Sequence, residues 1–278
     1  MFGWFKSKTH TTDEEPPQEI REDFHNPKII FDTFTTLTGI NFKQKESITT
    51  SKLINFCRNR SIFSFDLLHT QLKSDPILLE DLINFLTVNE TYFFREVGQI
   101  EYMAQKATEA NKPFRVLCAP GSTGEEPYSI AITLLEKGIQ PAMIQIVSLD
   151  INSDAIAHAK KGNYGPRAFH KTARHIQERY FIHENDRYTV RNEVRQLVTF
   201  HQINVFDDAL FELGRFDYLF SRNMLIYFDS FTSKEAIERL GRLAQSQESL
   251  FFFGHADIVE RLTFMKEHYE HGIKFYSL

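Results

Sequence analysis

Short apolar runs alternate with amphipathic segments along the second part of the chain. From residue 114 onward the apolar runs fall at residues 116–119, 144–149, 201–206, 217–220 and 250–253. Several segments between these runs have the spacing of helices that bury one face. Buried strands that alternate with helices predict an α/β fold, a doubly wound, Rossmann-like sheet of mainly parallel strands. Residues 273–276 are predicted to add a last, antiparallel edge strand.

The interval from residue 162 to 200 breaks this alternation. It contains the turn Gly165-Pro166, a predicted short helix at 173–180, and alternating apolar positions at Tyr188, Val190 and 197–200. Alternation with a period of two is typical of half-buried strands. We therefore predict a small antiparallel excursion in this interval, grafted onto the main sheet.

The first 88 residues have a different pattern. Residues 1–22 are rich in polar and acidic side chains and contain Pro16-Pro17, which predicts a flexible tail. Four segments with helical spacing of apolar residues follow, around residues 30–37, 53–57, 65–68 and 76–86. The domain prediction is therefore a tail over 1–22, a small all-helical domain over 23–88 and a second domain over 89–278.

Composition limits the class of protein. The 278 residues are 42% hydrophobic and include 27 Phe, while the net charge of -5 gives no basic stripe of the kind that binds nucleic acid. No apolar run approaches the about 20 residues that a membrane span needs. Cys57 and Cys118 lie far apart in sequence, which favours reduced thiols. We expect a cytoplasmic protein with no membrane insertion and no nucleic-acid partner, and nothing requires more than a monomer.

The stretch RVLCAPGSTGEEPYS, residues 115–129, carries the first candidate chemistry. An apolar strand ends at Pro120-Gly121, and a turn of small residues brings Glu125 and Glu126 to the start of a helix. Ligands of such sheets bind beyond the carboxyl ends of the strands. A P-loop would need Lys and Ser or Thr after its last glycine, and the dinucleotide-binding glycine spacing is also missing. Two carboxylates favour a nucleotide-like cation such as S-adenosylmethionine, although acids that stabilise a helix N-terminus are the alternative.

Two further segments offer polar groups to a ligand. Asp150 ends the second predicted strand, where an acid can accept hydrogen bonds from both hydroxyls of a ribose. Its alternative role is that of a helix N-cap. Asn89, Thr91 and Arg95 lie in NETYFFRE, where they face a ligand or belong to a hinge that the aromatic residues fasten. The histidines have no metal-ligand spacing, so no metal site is expected.

Four motifs occur in a specific order along the chain: NETYFFRE (89–96), STGEEPYSIAI (122–132), SLDIN (148–152) and FDYLFSRNMLIYFD (216–229). Together they resemble the CheR-type chemoreceptor glutamate O-methyltransferases over about 190 residues from Asn89, and the helical N-terminal module matches in outline. The family commonly has Gly-His-Ser-Glu after the late strand, whereas this chain has Gly254-His255-Ala256-Asp257.

The resemblance implies an enzyme that transfers a methyl group from S-adenosylmethionine to receptor glutamates, forming methyl esters and S-adenosylhomocysteine. Its catalytic residues would be Arg95 and Tyr227, on either side of the transferred methyl group. The residues implied to bind the cofactor are Asn89, Thr91, Arg95, Glu126, Asp150, Asn204, Val205, Ser221 and Arg222. The family alignment favours Glu126 over Glu125, a choice that the sequence leaves open.

By resemblance, the antiparallel excursion corresponds to the family's small β-subdomain, inserted at about residues 176–200. The implied partners are the cytoplasmic helices of chemoreceptors and, through the β-subdomain, a receptor C-terminal tail peptide. Two alternatives stay open at this point. One is methylation of another carboxylate substrate on the same scaffold. The other is a cofactor-binding adaptor that has no enzymatic activity.

Overall fold

The computed structural model of the chain describes residues 22–42, 45–258 and 261–278. The predicted flexible tail over residues 1–22 therefore lies outside the described residues, except for Glu22. The Arg58 guanidinium donates to the Glu22 carboxylate, with 2.6 Å between Nη2 and Oε2. None of the helices in these ranges is long and apolar enough to cross a membrane.

The N-terminal helices follow the predicted apolar spacing: α1 (Lys28–Thr38), α2 (Glu46–Arg58), α3 (Phe65–Leu72) and α4 (Pro76–Leu86). The start of α3 is capped by Ser64, whose hydroxyl accepts the N–H of Leu67 at 3.1 Å. The four helices enclose one apolar core, which includes Ile30, Phe34, Leu53, Phe56, Leu68 and Leu82. These helices are called the helical module below.

The remaining helices and strands alternate as the α/β prediction requires. The helices are α5 (Val97–Ala110), α6 (Glu125–Glu136), α7 (Ser153–Lys161), α8 (Arg174–Tyr180), α9 (Asn192–Arg195) and α10 (Ser230–Gly241). The strands are β1 (Phe114–Cys118), β2 (Ile144–Asp150), β3 (Asn163–Tyr164), β4 (Phe181–Glu184), β5 (Arg187–Val190), β6 (Val198–Gln202), β7 (Tyr218–Ser221), β8 (Leu250–Phe253), β9 (Lys266–Glu270) and β10 (Ile273–Ser277).

The large sheet has the strand order β6-β2-β1-β7-β8-β10-β9. The first five strands are parallel, and β10 and β9 continue the sheet in antiparallel pairing. The chain moves from β1 outward through β2 to β6 and then returns to place β7 on the other side of β1. The strand order therefore reverses between β1 and β7, and ligands of doubly wound sheets bind at such a switch point.

Both faces of the sheet are buried, which explains the continuous apolar runs in the sequence. In β1, Val116 and Cys118 belong to one apolar core together with residues of α5 and α6. Leu117 and Ala119 belong to a second core, which includes Ile237 and Leu240 of α10. The layers are thus helix, sheet, helix, as the pattern predicts.

The small antiparallel sheet is confirmed, in the order β3-β5-β4. Both strand assignments around residue 200 were wrong in their bounds, because residues 198–202 form β6 of the large sheet, where Val198 pairs in parallel with Ile146. The run at 197–200 is therefore not part of the small sheet, and the core strand predicted at 201–206 ends at Gln202. This run alternates because β6 is an edge strand with one face exposed. The division into domains at residue 88 and the limits of the β-subdomain stay predictions.

The predicted edge strand at residues 273–276 was placed wrongly in the sheet. It is β10, and it lies between β8 and β9. The true edge is β9, whose sequence KEHYE has no apolar pattern. Charged residues are common on edge strands because they prevent pairing with other chains. β9 was not predicted from the sequence, because its charged residues give no apolar pattern.

Candidate active site

A cavity of about 980 Å³ lies between the carboxyl ends of the parallel strands and the helical module. One wall comes from the chain after β1, β2, β6 and β7. The opposite wall comes from the helical module and its loops, including Thr38, Asn41, Lys45, Thr49 and Lys52. The cavity therefore occupies the switch point that the fold predicts for a ligand.

All but one of the predicted site residues line this cavity. Ser221 is the exception, since its side chain is buried and its Oγ has no hydrogen-bond partner among the described residues. The strands bring together residues that are far apart in sequence because their carboxyl ends meet at one edge of the sheet. The predicted residues that line the cavity are Asn89, Thr91, Arg95, Glu126, Asp150, Asn204, Val205, Arg222 and Tyr227.

The loop after β1 is held tightly against β2. The Gly121 N–H donates to the carbonyl of Leu149 at 2.7 Å. A Cβ atom at Gly121 would lie 1.8 Å from Ser148 Oγ, so only glycine lets the loop pass this close. The small-residue turn in the sequence is therefore a packing requirement, and it brings the start of α6 to the cavity.

The two adjacent glutamates have different surroundings. The Thr123 hydroxyl donates to Glu125 Oε2 at 2.6 Å, and Glu125 is buried away from the cavity. Burial raises the pKa of Glu125 to about 7. Glu126 lines the cavity, and its Oε1 has no hydrogen-bond partner among the described residues. Burial raises the pKa of Glu126, while the Arg222 guanidinium opposes that rise.

Arg222 joins the end of β7 to two other segments of the site. Its Nη1 lies 3.1 Å from Glu126 Oε2, and its Nη2 donates to the carbonyl of Arg95 at 2.6 Å. The same Nη2 is 3.6 Å from Glu96 Oε2, which in turn lies 2.9 Å from His255 Nδ1. Because only 2% of the Arg222 side chain is exposed, these partners are what compensate its charge.

The NETYFFRE segment is fastened by its aromatic residues, and its polar residues Asn89, Thr91 and Arg95 line the cavity. Phe93 is fully buried, and its ring centroid lies 4.9 Å from those of Tyr164 and Phe169. Its aromatic contacts fasten the segment to the region of the small antiparallel sheet. Phe94 and Glu96, which flank Arg95, have φ values of 60° and 48°. Such backbone is uncommon for these residue types and is frequent at functional sites.

Asp150 is held at the end of β2 by backbone groups. Its Oδ2 accepts the N–H of Ser122 and its Oδ1 accepts the N–H of Asn152, each at 2.9 Å. The N-cap of α7 is Asn152, whose Oδ1 accepts the N–H of Ala155 at 2.7 Å, so the N-cap alternative for Asp150 was wrong. Carboxylate oxygens can accept more than one hydrogen bond, so Asp150 keeps acceptor capacity toward the cavity.

The sequence did not reveal that the helical module forms a wall of the cavity. The Asn41 N–H donates to the carbonyl of Tyr227 at 2.9 Å, and Asn204 Nδ2 donates to the carbonyl of Thr38 at 3.3 Å. Gly39 has a φ of 81°, and a Cβ atom there would lie 2.3 Å from the Phe206 ring. Of these contacts, only the glycine that ends α1 left a signal in the sequence.

The residues present fit a cationic nucleoside. Ser122 Oγ and Glu126 Oε1 are buried and lack hydrogen-bond partners among the described residues, and both residues line the cavity. Two acids, Glu126 and Asp150, line this cavity. Its volume of about 980 Å³ is within the range of about 300–1,000 Å³ that is typical of small-molecule sites. The described residues contain no group of three or more His, Cys, Asp or Glu side chains that could hold a metal ion.

Comparison with known proteins identifies the family. The model of the CheR methyltransferase SAM-binding domain matches residues 89–274. A chemotaxis protein methyltransferase of Campylobacter jejuni is 32% identical over 232 residues, which are 83% of this chain and 87% of that protein. Chemotaxis protein methyltransferase 2 of Pseudomonas aeruginosa is 34% identical over 246 residues, 85% of this chain and 86% of that protein. The chain therefore belongs to the CheR methyltransferase family, and S-adenosylmethionine is its methyl donor.

Proposed function

We propose that this methyltransferase modifies glutamate side chains on the cytoplasmic helices of chemoreceptors and forms glutamate methyl esters. The observation that carries the proposal is that Arg95 and Tyr227 line the same cavity as Glu126 and Asp150. Arg95, which can orient a carboxylate, thus lines the same cavity as two acids that suit a cationic methyl donor. The relatives named as chemotaxis methyltransferases support the choice of substrate.

A glutamate substrate needs no catalytic base. Its pKa of about 4.3 means that the side chain is already a carboxylate at neutral pH. When bound, S-adenosylmethionine supplies an electrophilic methyl carbon, and as a carboxylate oxygen bonds to it the carbon–sulfur bond breaks with its electron pair left on sulfur. The task of the protein is therefore to align the carboxylate and to remove water from it.

Arg95 is assigned the positioning of the incoming carboxylate. Arg95 Nη1 donates to the carbonyl of Glu90 at 3.2 Å, which holds the side chain on the cavity wall and leaves other N–H groups to donate. A bidentate guanidinium contact would fix the plane of a carboxylate. The contact between Arg95 and the carboxylate should orient the substrate without binding it tightly, because an interaction that is strongest in the ground state would slow the transfer.

Tyr227 is assigned the wall beside the transferred methyl group. Burial raises the pKa of Tyr227, so the phenol stays protonated and uncharged at neutral pH. Its backbone is held from two sides, since the carbonyl accepts the N–H of Asn41 and its N–H donates to the carbonyl of Met224 at 3.1 Å. A fixed ring would limit the line along which a carboxylate can approach.

The other cavity residues are assigned to the methyl donor. Glu126 would face its charged end, and Asp150 would accept hydrogen bonds from the ribose hydroxyls. Asn204 and Val205 would line the adenine. The methionine side and the closing segment would be formed by Arg222, Asn89, Thr91 and Arg95. Ser221 would lie behind this wall, because its side chain does not line the cavity.

The partner is proposed to be an acidic receptor helix. Lys45 and Lys52 of the helical module line the cavity and are exposed, so they can attract an acidic surface. Exposed Ile48, Val88 and Ile226 add apolar contact area. The β4–β5 hairpin is proposed as the binding site of a receptor tail peptide. We place the protein in the cytoplasm as a monomer.

The test is transfer of label from S-adenosylmethionine with a tritiated methyl group to membranes that contain chemoreceptors. We expect label on the receptor band and its release as methanol on treatment with base, because carboxyl esters hydrolyse readily. Membranes from cells without receptors are the matched control. Base-stable label, or label on another protein only, would reject the glutamate proposal.

A further inference from the structure

One buried carboxylate outside the predicted site accepts four backbone N–H groups. Asp257 Oδ2 accepts from Asn223 at 2.5 Å and from Gly254 at 2.9 Å. Its Oδ1 accepts from Leu225 at 3.0 Å and from Ile226 at 3.4 Å. Asp257 is only 7% exposed. Three of the four donors belong to the loop after β7, and the fourth follows β8.

The backbone around this carboxylate is unusually crowded. A Cβ atom at Gly254 would lie 2.6 Å from Asp257 Oδ2 and 3.0 Å from the Asn223 nitrogen, so a side chain at this position would displace the carboxylate. Asn223 has a φ of 60°, a left-handed conformation that asparagine adopts more readily than most other residues. The N–H of this residue donates to Asp257 Oδ2, so the carboxylate fixes the loop at this point.

The loop that Asp257 holds leads directly to the cavity. Asn223, Met224, Ile226 and Tyr227 all line it, and residues Leu225–Tyr227 form one turn of 3-10 helix. The N–H groups of Leu225 and Ile226, which immediately precede Tyr227, are the ones that Oδ1 accepts. Without this acceptor, buried or partly buried N–H groups would need other partners, and the turn that orients Tyr227 would lose its anchor.

We infer that Asp257 is a positioning residue for methyl transfer, which acts by fixing the orientation of the loop that carries Tyr227. The inference rests on the proposed function, in which Tyr227 lies beside the reacting methyl group. Asp257 itself does not line the cavity. Its contribution should therefore appear in turnover far more than in affinity for the methyl donor, because the residues assigned to the donor's charged end, ribose and adenine follow β1, β2 and β6.

Asp257→Asn is the decisive variant. An amide has one acceptor oxygen, and its NH2 group would face N–H donors, so at most one of the two pairs of hydrogen bonds survives. We expect kcat for receptor methylation to fall by about tenfold or more, with the Kd for S-adenosylhomocysteine within about threefold of the wild type. Asp257→Glu keeps both acceptor oxygens and should recover a large part of kcat. Equal kcat in wild type and Asn variant, or equal losses of kcat and affinity, would overturn the inference.

Asp217→Ala is the matched control. Asp217 precedes β7 at the opposite end of the strand, where its Oδ2 accepts the N–H of Arg115 at 2.9 Å. This variant should lose stability and leave kcat within about twofold of the wild type, because it removes a carboxylate acceptor of a backbone N–H away from the cavity. A loss of kcat equal to that of Asp257→Asn would assign the effect to general destabilisation and overturn the inference.

Amide hydrogen exchange separates this inference from the proposed function. Exchange at Asn223, Leu225 and Ile226 should be about tenfold faster in Asp257→Asn than in the wild type, while the amides of β8 keep their protection. If the wild type does not methylate receptors, the proposed function fails. The exchange result then decides by itself whether Asp257 anchors the loop after β7. Unchanged exchange at these three amides would reject Asp257 as the anchor. Should Asp257→Asn not fold, the same measurement is made on Asp257→Glu, where intermediate exchange is expected and wild-type exchange counts against the inference.

Discussion

Arg222 Nη1 lies 3.1 Å from Glu126 Oε2, and this ion pair connects the two strands between which the strand order reverses. Arg222 ends up there because it follows β7, and Glu126 because it opens α6 after β1. Both side chains are largely buried, so each charge depends on the other for compensation. The pair leaves Glu126 Oε1 without a hydrogen-bond partner among the described residues, which suits a cationic ligand.

Glu126→Gln should weaken binding of S-adenosylmethionine by about 1.5–3 kcal/mol, roughly 10- to 150-fold, because a charged acceptor facing the ligand is lost. Isothermal titration calorimetry measures the change. Glu125→Gln is the matched control, since Glu125 is the neighbouring buried acid and does not line the cavity. Its affinity should equal that of the wild type. Equal weakening in both variants would contradict the assignment of Glu126.

Asp150→Ala should weaken cofactor binding by about 1–3 kcal/mol, the cost of losing hydrogen bonds to a charged group. It should also lower the free energy of unfolding without ligand, since the N–H groups of Ser122 and Asn152 lose their acceptor. Calorimetry and urea denaturation measure the two effects. Asp75→Ala, which removes the N-cap of α4, should lower stability by about 1 kcal/mol and leave affinity unchanged. Wild-type affinity in Asp150→Ala would remove Asp150 from the ribose site.

Tyr227→Ala should lower kcat and leave cofactor affinity largely intact, because the ring that limits the approach of the carboxylate is gone. Single-turnover methylation and calorimetry give the two values. Tyr269→Ala is the control, as Tyr269 is 73% exposed on β9 and should change neither. Parallel losses of turnover and affinity in Tyr227→Ala would make the residue structural.

The buried Glu125 should make the protein less stable as pH rises. Its pKa is about 7 in the folded state against 4.5 for the ordinary side chain, so between these values the folded state binds more protons than the unfolded state. The free energy of unfolding therefore falls as pH rises through this window, by about 1–3 kcal/mol.

Urea denaturation of the wild type and Glu125→Gln at pH 5 and pH 8 measures this contribution. Glutamine mimics the protonated acid and can still accept the Thr123 hydroxyl, so the variant should gain stability relative to the wild type at pH 8 and not at pH 5. The comparison between variants cancels the titration of other groups. The same pH dependence in both proteins would show that Glu125 does not titrate in this window.

Asp150 could be placed at the cavity from the sequence because parallel strands bring local signals to a common location, and its signal was an apolar run followed by an acid. Arg222, Asn204 and Val205 had no such signal and were implied only by the resemblance to the CheR-type family. The fold then brought these strand ends together without any long-range information. The loop after β1 was also predictable, because its small residues are a local signal. The structure explains that signal by the close approach of Gly121 to Ser148.

The features that escaped prediction depend on contacts between distant segments. Asp257 lies 34 positions from Asn223, and no periodicity links them. β9 has an exposed, charged sequence, so the apolar pattern could not reveal it. The first residues of β6 were assigned to the small sheet, and the core strand was placed at 201–206, because an edge strand alternates in the same way as a strand of an antiparallel sheet.

The wall contributed by Thr38, Asn41, Lys45, Thr49 and Lys52 has a consequence for the modular use of this fold. The segment that the family model matches, residues 89–274, lacks this wall, so on its own it would open the cavity to bulk solvent on one side. On the proposed function, water would then hydrate the attacking carboxylate oxygen and stabilise it before the reaction. We therefore expect truncated or shuffled chains to retain the rate of methylation only when they carry both the leading helices and the sheet.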